Sequence, residues 1–171
     1  YADLKQYELI VISGESRERK YLITKFVNLG EAKKTLFCYM ENSTMPYWFT
    51  DSDHLPRNLS LDLSFWKHLK NHGVPISLFY RDVYWKFDDM YVPPKGIKAF
   101  SPIMRAVYKQ ELTQYEKVVD RLYLPSLEMN KYVNWKGSVD ELPPGMENVF
   151  EHPEREKPNS AVFVGGISDQ I

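Results

Sequence analysis

One stretch, residues 76–89 (ISLFYRDVYWKFDD), narrows the folds open to this chain more than any other. Residues 76–80 form a short apolar run between Pro75 and the charged pair Arg81 and Asp82. A run of that length, bounded by a breaker and by charge, predicts a strand buried in a parallel sheet. In open α/β sheets ligands bind in the crevice outside the carboxyl ends of the strands. At that end the chain places Arg81 beside Asp82, followed by Tyr84, Trp85, Lys86 and Phe87. A guanidinium, a carboxylate and aromatic plates suit a hydroxyl-rich or phosphorylated ligand. The same pair also reads as an ordinary salt-bridged strand exit.

The rest of the chain supplies alternating strands and helices. Residues 8–13 (ELIVIS) predict a strand ending at Gly14. Ser16 then stands as an N-cap, with Tyr21, Leu22, Phe26, Val27 and Leu29 at helical spacing and Gly30 at the C′ position. Residues 35–40 (TLFCYM) predict the second strand, and residues 41–59 a long connection holding Tyr47, Trp48 and Phe49. Ser60 caps a helix carrying Leu61, Phe65, Trp66 and Leu69, with Asp62 in its first turn and Gly73 at its end. After the 76–80 strand, Ser101 and Pro102 open a long helix with the stripe Met104, Val107, Tyr108, Leu112, Tyr115 and Val119. Residues 121–124 predict a further strand, Ser126 caps a helix with Leu127, Met129, Tyr132 and Val133, and residues 139–142 predict an edge strand. Residues 149–159 read as a charged, proline-bearing linker, and 161–164 as a fresh strand running into Gly165 and Gly166. The expected class is α/β, a Rossmann-like parallel sheet with helices on both faces.

Composition removes several functions. Net charge is −1 with acids and bases interspersed, so the basic excess of a nucleic-acid binder is missing. No run approaches the roughly 18 apolar residues that span a bilayer, and polar sequence at Tyr1 shows no signal peptide. The single Cys38 has no internal disulfide partner and reads as a buried, inert thiol. These features predict a cytoplasmic, reducing compartment. The 12 tyrosines fit a sugar- or partner-facing surface as well as they fit a core.

Three strand exits look polar: Glu41, Asn42, Ser43 and Thr44; Arg81 and Asp82; and Ser126 with Leu127 and Glu128. At the third, a helix N-terminus offers N–H groups to an anion or hydroxyl. Convergence of the three on one sheet edge would make a polyol-binding cleft. Taken singly, Asn42, Ser43 and Thr44 are turn formers and Ser126 a helix cap. Asp51, Asp53 and His54 match no metal-site spacing, and no metal site is expected. His68 and His72 lie four apart beside Lys67 and Lys70, on a basic face that either is solvated or rests on an anionic membrane surface. Nucleophile-elbow, Walker and dinucleotide fingerprints are all missing.

Taken in order, ENSTMPYW, FWKHLKNHGVPISLFYRDVYWKF, LYLPSLEM, LPPGM and AVFVGGI resemble the amino-terminal half of bacterial GT-B glycosyltransferases. The likeness is to the large retaining group that builds exopolysaccharides and other cell-surface glycans, and it runs from about Glu8 to Ile167. It implies an acceptor-side domain over residues 1–148, a linker at 149–159 and the start of a donor-side domain at 160–171. A nucleotide sugar is then the donor substrate, no resident cofactor is needed, and the acceptor is a glycan or a lipid-linked carbohydrate. Place of action would be the cytoplasm, with peripheral contact at the inner face of the cell membrane. Carried over residue by residue, Arg81 stands where many relatives have histidine before Asp82, and both become candidates at the reaction centre. Glu41, Asn42, Ser43, Thr44, Trp48, Tyr84 and Ser126 would line the acceptor side, and Gly165 and Gly166 the donor phosphates. The family's first glycine-bearing loop is not seen before Tyr1, and its paired glutamates do not occur by Ile171, so the chain reads as one half of an enzyme, inactive alone. The competing expectation is a non-catalytic, flavodoxin-like module that docks a partner through residues 46–49.

Overall fold

The computed structural model describes residues 7–87 and 101–143. Four parallel strands form one sheet in the order β1-β2-β3-β4, where β1 is Cys38–Glu41, β2 Ile76–Phe79, β3 Arg121–Leu124 and β4 Ser138–Glu141. Helices α1 (Ser16–Asn28), α2 (Leu61–Asn71), α3 (Ser101–Tyr115) and the short α4 (Asn130–Val133) alternate with them. This is the expected Rossmann-like parallel α/β sheet.

Register explains the core. Met40, Leu78, Leu122 and Val139 lie in one row across the sheet, on the same face as Ile76 and Leu124. Ile76, Leu78, Leu122 and Leu124 are fully buried there, because side chains two apart on a strand share a face. Three successive crossovers step in the same direction, and right-handed crossovers of that kind put α2, α3 and α4 on one face. Trp66 of α2 meets Tyr115 of α3 at 5.4 Å between ring centroids, and Phe26 of α1 meets Phe65 of α2 edge-on at 5.3 Å. The opposite face carries Tyr39, Arg121 and Asp140, all half-exposed, with an ion pair between Arg121 and Asp140.

Several elements depart from their predicted bounds. Residues 8–13 form no strand: Leu9, Ile10 and Val11 are exposed and only Ile12 packs on the core. Strand propensity has no effect without a ladder partner, and β1 pairs directly with β2 instead. β1 starts three residues late because Thr35 still belongs to the preceding turn, its hydroxyl donating to Glu31 O at 2.9 Å. Leu36 and Phe37 are left exposed. In α1 the N-cap is Glu15, not Ser16, whose amide and hydroxyl both donate to Asp51 at 2.6 Å. The buried face of α1 is Ile23 and Phe26, while Tyr21, Val27 and Leu29 face out. Ser126 caps as expected, but it opens a 3-10 turn, Leu127–Met129, and then a helix of only 4 residues. The linker, the strand at 161–164 and the glycine pair fall outside the described residues.

Candidate functional site

The carboxyl ends of β1 and β2 are joined by Asn42. Its amide donates to Phe79 O at 3.1 Å, the last rung of the ladder. Asn42 is 7% exposed, and its Oδ1 accepts the Arg81 amide at 2.7 Å, acting as one further rung. Nδ2 donates to Ser43 O at 3.1 Å, so the buried amide is satisfied at both ends. Tyr80 continues the buried face of β2, with its amide donating to Tyr123 O at 2.9 Å. Alternation then turns Arg81 outward.

Arg81 Nη2 reaches Glu41 Oε2 at 3.3 Å, and Glu41 Oε1 accepts the Tyr39 hydroxyl at 3.1 Å. About half of each member of the ion pair is exposed, so the pair adds little stability. Both charges stay open to a ligand. Asp82 is half-buried; burial pushes its carboxyl above the usual range, opposed by a hydrogen bond from the Tyr84 amide and by the Arg81 charge. Tyr84 is exposed beside them, and Trp85 is buried with its indole N–H on Tyr80 Oη at 3.1 Å. Lys86 lies 5.1 Å from the Trp85 ring centroid and bonds to Tyr132 O; burial and the nearby Lys109 pull its ammonium below the ordinary range.

Glu41, Asn42, Arg81 and Asp82 are thus brought together by two adjacent strand ends. Ser43 and Thr44 come next on the surface, with Ser43 Oγ accepting the Met45 amide at 3.3 Å and Thr44 O accepting the Tyr108 hydroxyl at 2.7 Å. Trp48 packs on Tyr47 at 4.3 Å, and its indole N–H is spent on Leu59 O at 2.8 Å. Ser126 does not open an anion site. Its Oγ takes the Glu128 amide at 3.2 Å, its carbonyl takes Met129 N at 3.0 Å, and Glu141 takes Leu127 N at 3.3 Å. Gly165 and Gly166 lie outside the described residues.

Other signals resolve into structural roles. Asp51 holds the first turn of α1, and those Ser16 hydrogen bonds keep its carboxyl below the ordinary range. Asp53 forms a bidentate pair with Arg57 at 2.7 and 2.6 Å, while His54 Nδ1 faces Phe49 O at 3.0 Å. Among the described residues no group of His, Cys, Asp and Glu could hold a metal ion, and no helix is long and apolar enough to cross a membrane. Burial pushes the Cys38 thiol up to about 11, which keeps it protonated. A shallow cavity of about 150 Å³, lined by Lys70, Gly73, Val74, Pro75 and Asp120, lies at the opposite, amino-terminal end of β2.

Sequence reasoning passed over Glu111. It is 1% exposed, and its Oε1 accepts the Tyr47 amide at 2.8 Å and the Tyr115 hydroxyl at 3.2 Å. Burial pushes its carboxyl up to about 8. The signal was its place between Tyr108 and Tyr115, three and four residues away on the buried stripe of α3. Compared with known proteins, the chain matches no family model, no curated protein and no solved structure.

Proposed function

We propose that this chain is the acceptor-side domain of a GT-B glycosyltransferase that transfers a sugar from a nucleotide sugar to a glycan or lipid-linked acceptor. The observation that carries the reading is the join at the carboxyl ends of β1 and β2. There Asn42 fixes the Arg81 backbone, while Arg81, Glu41 and Asp82 keep polar atoms free to meet hydroxyl groups. That edge is where ligands bind in parallel α/β sheets. The resemblance in motif order supplies the reaction class.

In this reading the anomeric carbon gains positive character as the diphosphate leaves. Arg81 binds sugar hydroxyls or phosphate, for which a planar guanidinium is suited. Asp82 sits one residue on, with burial raising its carboxyl above an ordinary aspartate's range. Glu41 orients Arg81, and the exposed Tyr84 ring offers a plate to a sugar face. Place of action at the inner face of the membrane belongs to the same proposal, through the exposed Lys67 on α2, since Lys70 pairs with Asp120 and Trp66 is buried against Tyr47 and Tyr115. The rival interaction module is weakened by the 46–49 turn, where Pro46 and Tyr47 are buried and the Trp48 indole N–H is already bonded to Leu59 O.

The test is Arg81→Ala and Asp82→Ala in the whole enzyme. Transfer should fall by about 100-fold, the scale on which a misplaced substrate loses rate. Melting temperature should hardly change, since neither side chain is part of the core. Wild-type transfer rates in both variants would remove the assignment.

A further inference from the structure

The segment leaving β1 is fastened to α3 at two points on either side of the buried Pro46. The Tyr108 hydroxyl donates to Thr44 O at 2.7 Å, and Glu111 Oε1 accepts the Tyr47 amide at 2.8 Å. The two side chains are three residues apart, so they project from one face of α3. Tyr108 also stacks on Trp85 at 5.1 Å with the rings 4° from parallel. Trp85 in turn donates to Tyr80, the residue before Arg81. One helical turn therefore ties together the segment after β1 and the turn after β2.

We propose that Tyr108 and Glu111 are positioning residues that set the wall of the strand-exit site, holding residues 42–48 in place beside the Arg81–Asp82 turn. The proposal rests on the reading of that edge as the acceptor wall and adds what fixes its geometry. An apolar residue would pack more easily at 111 than a carboxyl does. It would also leave the Tyr47 amide buried and unpaired, which costs more than a hydrogen bond gains. The position demands an acceptor. Glu111 faces Tyr47 from the turn, Tyr80 from the end of β2 and Tyr115 from its own helix. Its second oxygen is buried without a partner, so the carboxyl's hydrogen bonding is spent on the Tyr47 and Tyr115 groups.

Amide hydrogen exchange on the full chain at pH 6 tests this, using Glu111→Gln, Glu111→Leu and Tyr108→Phe. In Glu111→Leu the Tyr47 amide should lose protection by about tenfold or more, the effect of a buried donor left unpaired. Leu122 in the centre of the sheet should keep its protection. Glu111→Gln retains the acceptor and should restore the Tyr47 amide. Tyr108→Phe should displace the Met45 amide and Trp85 indole resonances while the Tyr47 amide stays protected. Unchanged exchange at Tyr47 in Glu111→Leu would overturn the proposal. So would an equal loss at Tyr47 and Leu122, which would make Glu111 a general stabiliser. No sugar enters this measurement, so its failure is distinct from a failed transfer assay.

Discussion

Replacing Glu111 by Gln should change how stability depends on pH more than it changes stability itself. The carboxyl is pushed up to about 8 in the fold from a reference of 4.5, because burial penalises its charged form. Below the lower value both the folded and the unfolded chain carry the proton. Between the two values the unfolded chain releases it and the folded chain does not, so stability falls as pH rises. At about 1.4 kcal/mol per pKa unit the full loss is about 5 kcal/mol, reached once pH passes the folded value. Water penetration around an ionised Glu111 would reduce this to about 3 kcal/mol. Asp51 and Asp120, whose carboxyls are lowered in the fold, act below their reference of 3.8 and with the opposite sign. Asp82 is raised and acts in the same direction as Glu111, but it is common to both proteins and cancels in their difference. Urea unfolding of wild type and Glu111→Gln at pH 5, 6, 7 and 8 is the assay. The Gln variant should gain on wild type steadily across that range, at equal m-values. Parallel pH curves would refute the buried, protonated carboxyl.

Two smaller effects arise from the same geometry. Asn42→Ala leaves the Arg81 amide without its acceptor and should cost about 1–3 kcal/mol in urea unfolding, with faster exchange of that amide; an unchanged Arg81 amide would count against the join of the two strand ends. Asp51→Ala removes the acceptor for the Ser16 amide and hydroxyl and should cost about 1 kcal/mol. Because the Asp51 carboxyl is lowered from 3.8, its contribution is present above that value and lost as pH falls, so the variant should lose less stability on acidification than wild type. Acid titration monitored by circular dichroism reads this directly.

The sheet was legible where local signals agreed. Pro75 and Arg81 bracket ISLF so tightly that β2 ends within one residue of its predicted bound. RLYL between two charged turns is β3 as predicted. ELIVIS carries an equally strong signal, yet a strand needs a neighbouring ladder, and no local pattern says which strand β1 will take. The role of Asp51 was not legible, because its partner, Ser16, is 35 residues away. Glu111 was hidden for a related reason. A search for apolar stripes skips a carboxyl, and its demand for a place there comes from the Tyr47 amide in another part of the fold. The placement of Glu41, Asn42, Arg81 and Asp82 at neighbouring strand ends was legible from the sequence, in the position where α/β sheets bind ligands. The tie made by the Asn42 side chain was not, since it depends on β1 and β2 being adjacent and in register.

The most direct measurement is calorimetry on the protein with UDP, GDP and their sugars, paired with a transfer assay, for wild type and Arg81→Ala. Wild type should bind one of these nucleotides and transfer its sugar, while Arg81→Ala should lose transfer. A well-folded protein that binds none of these nucleotides would contradict the glycosyltransferase reading.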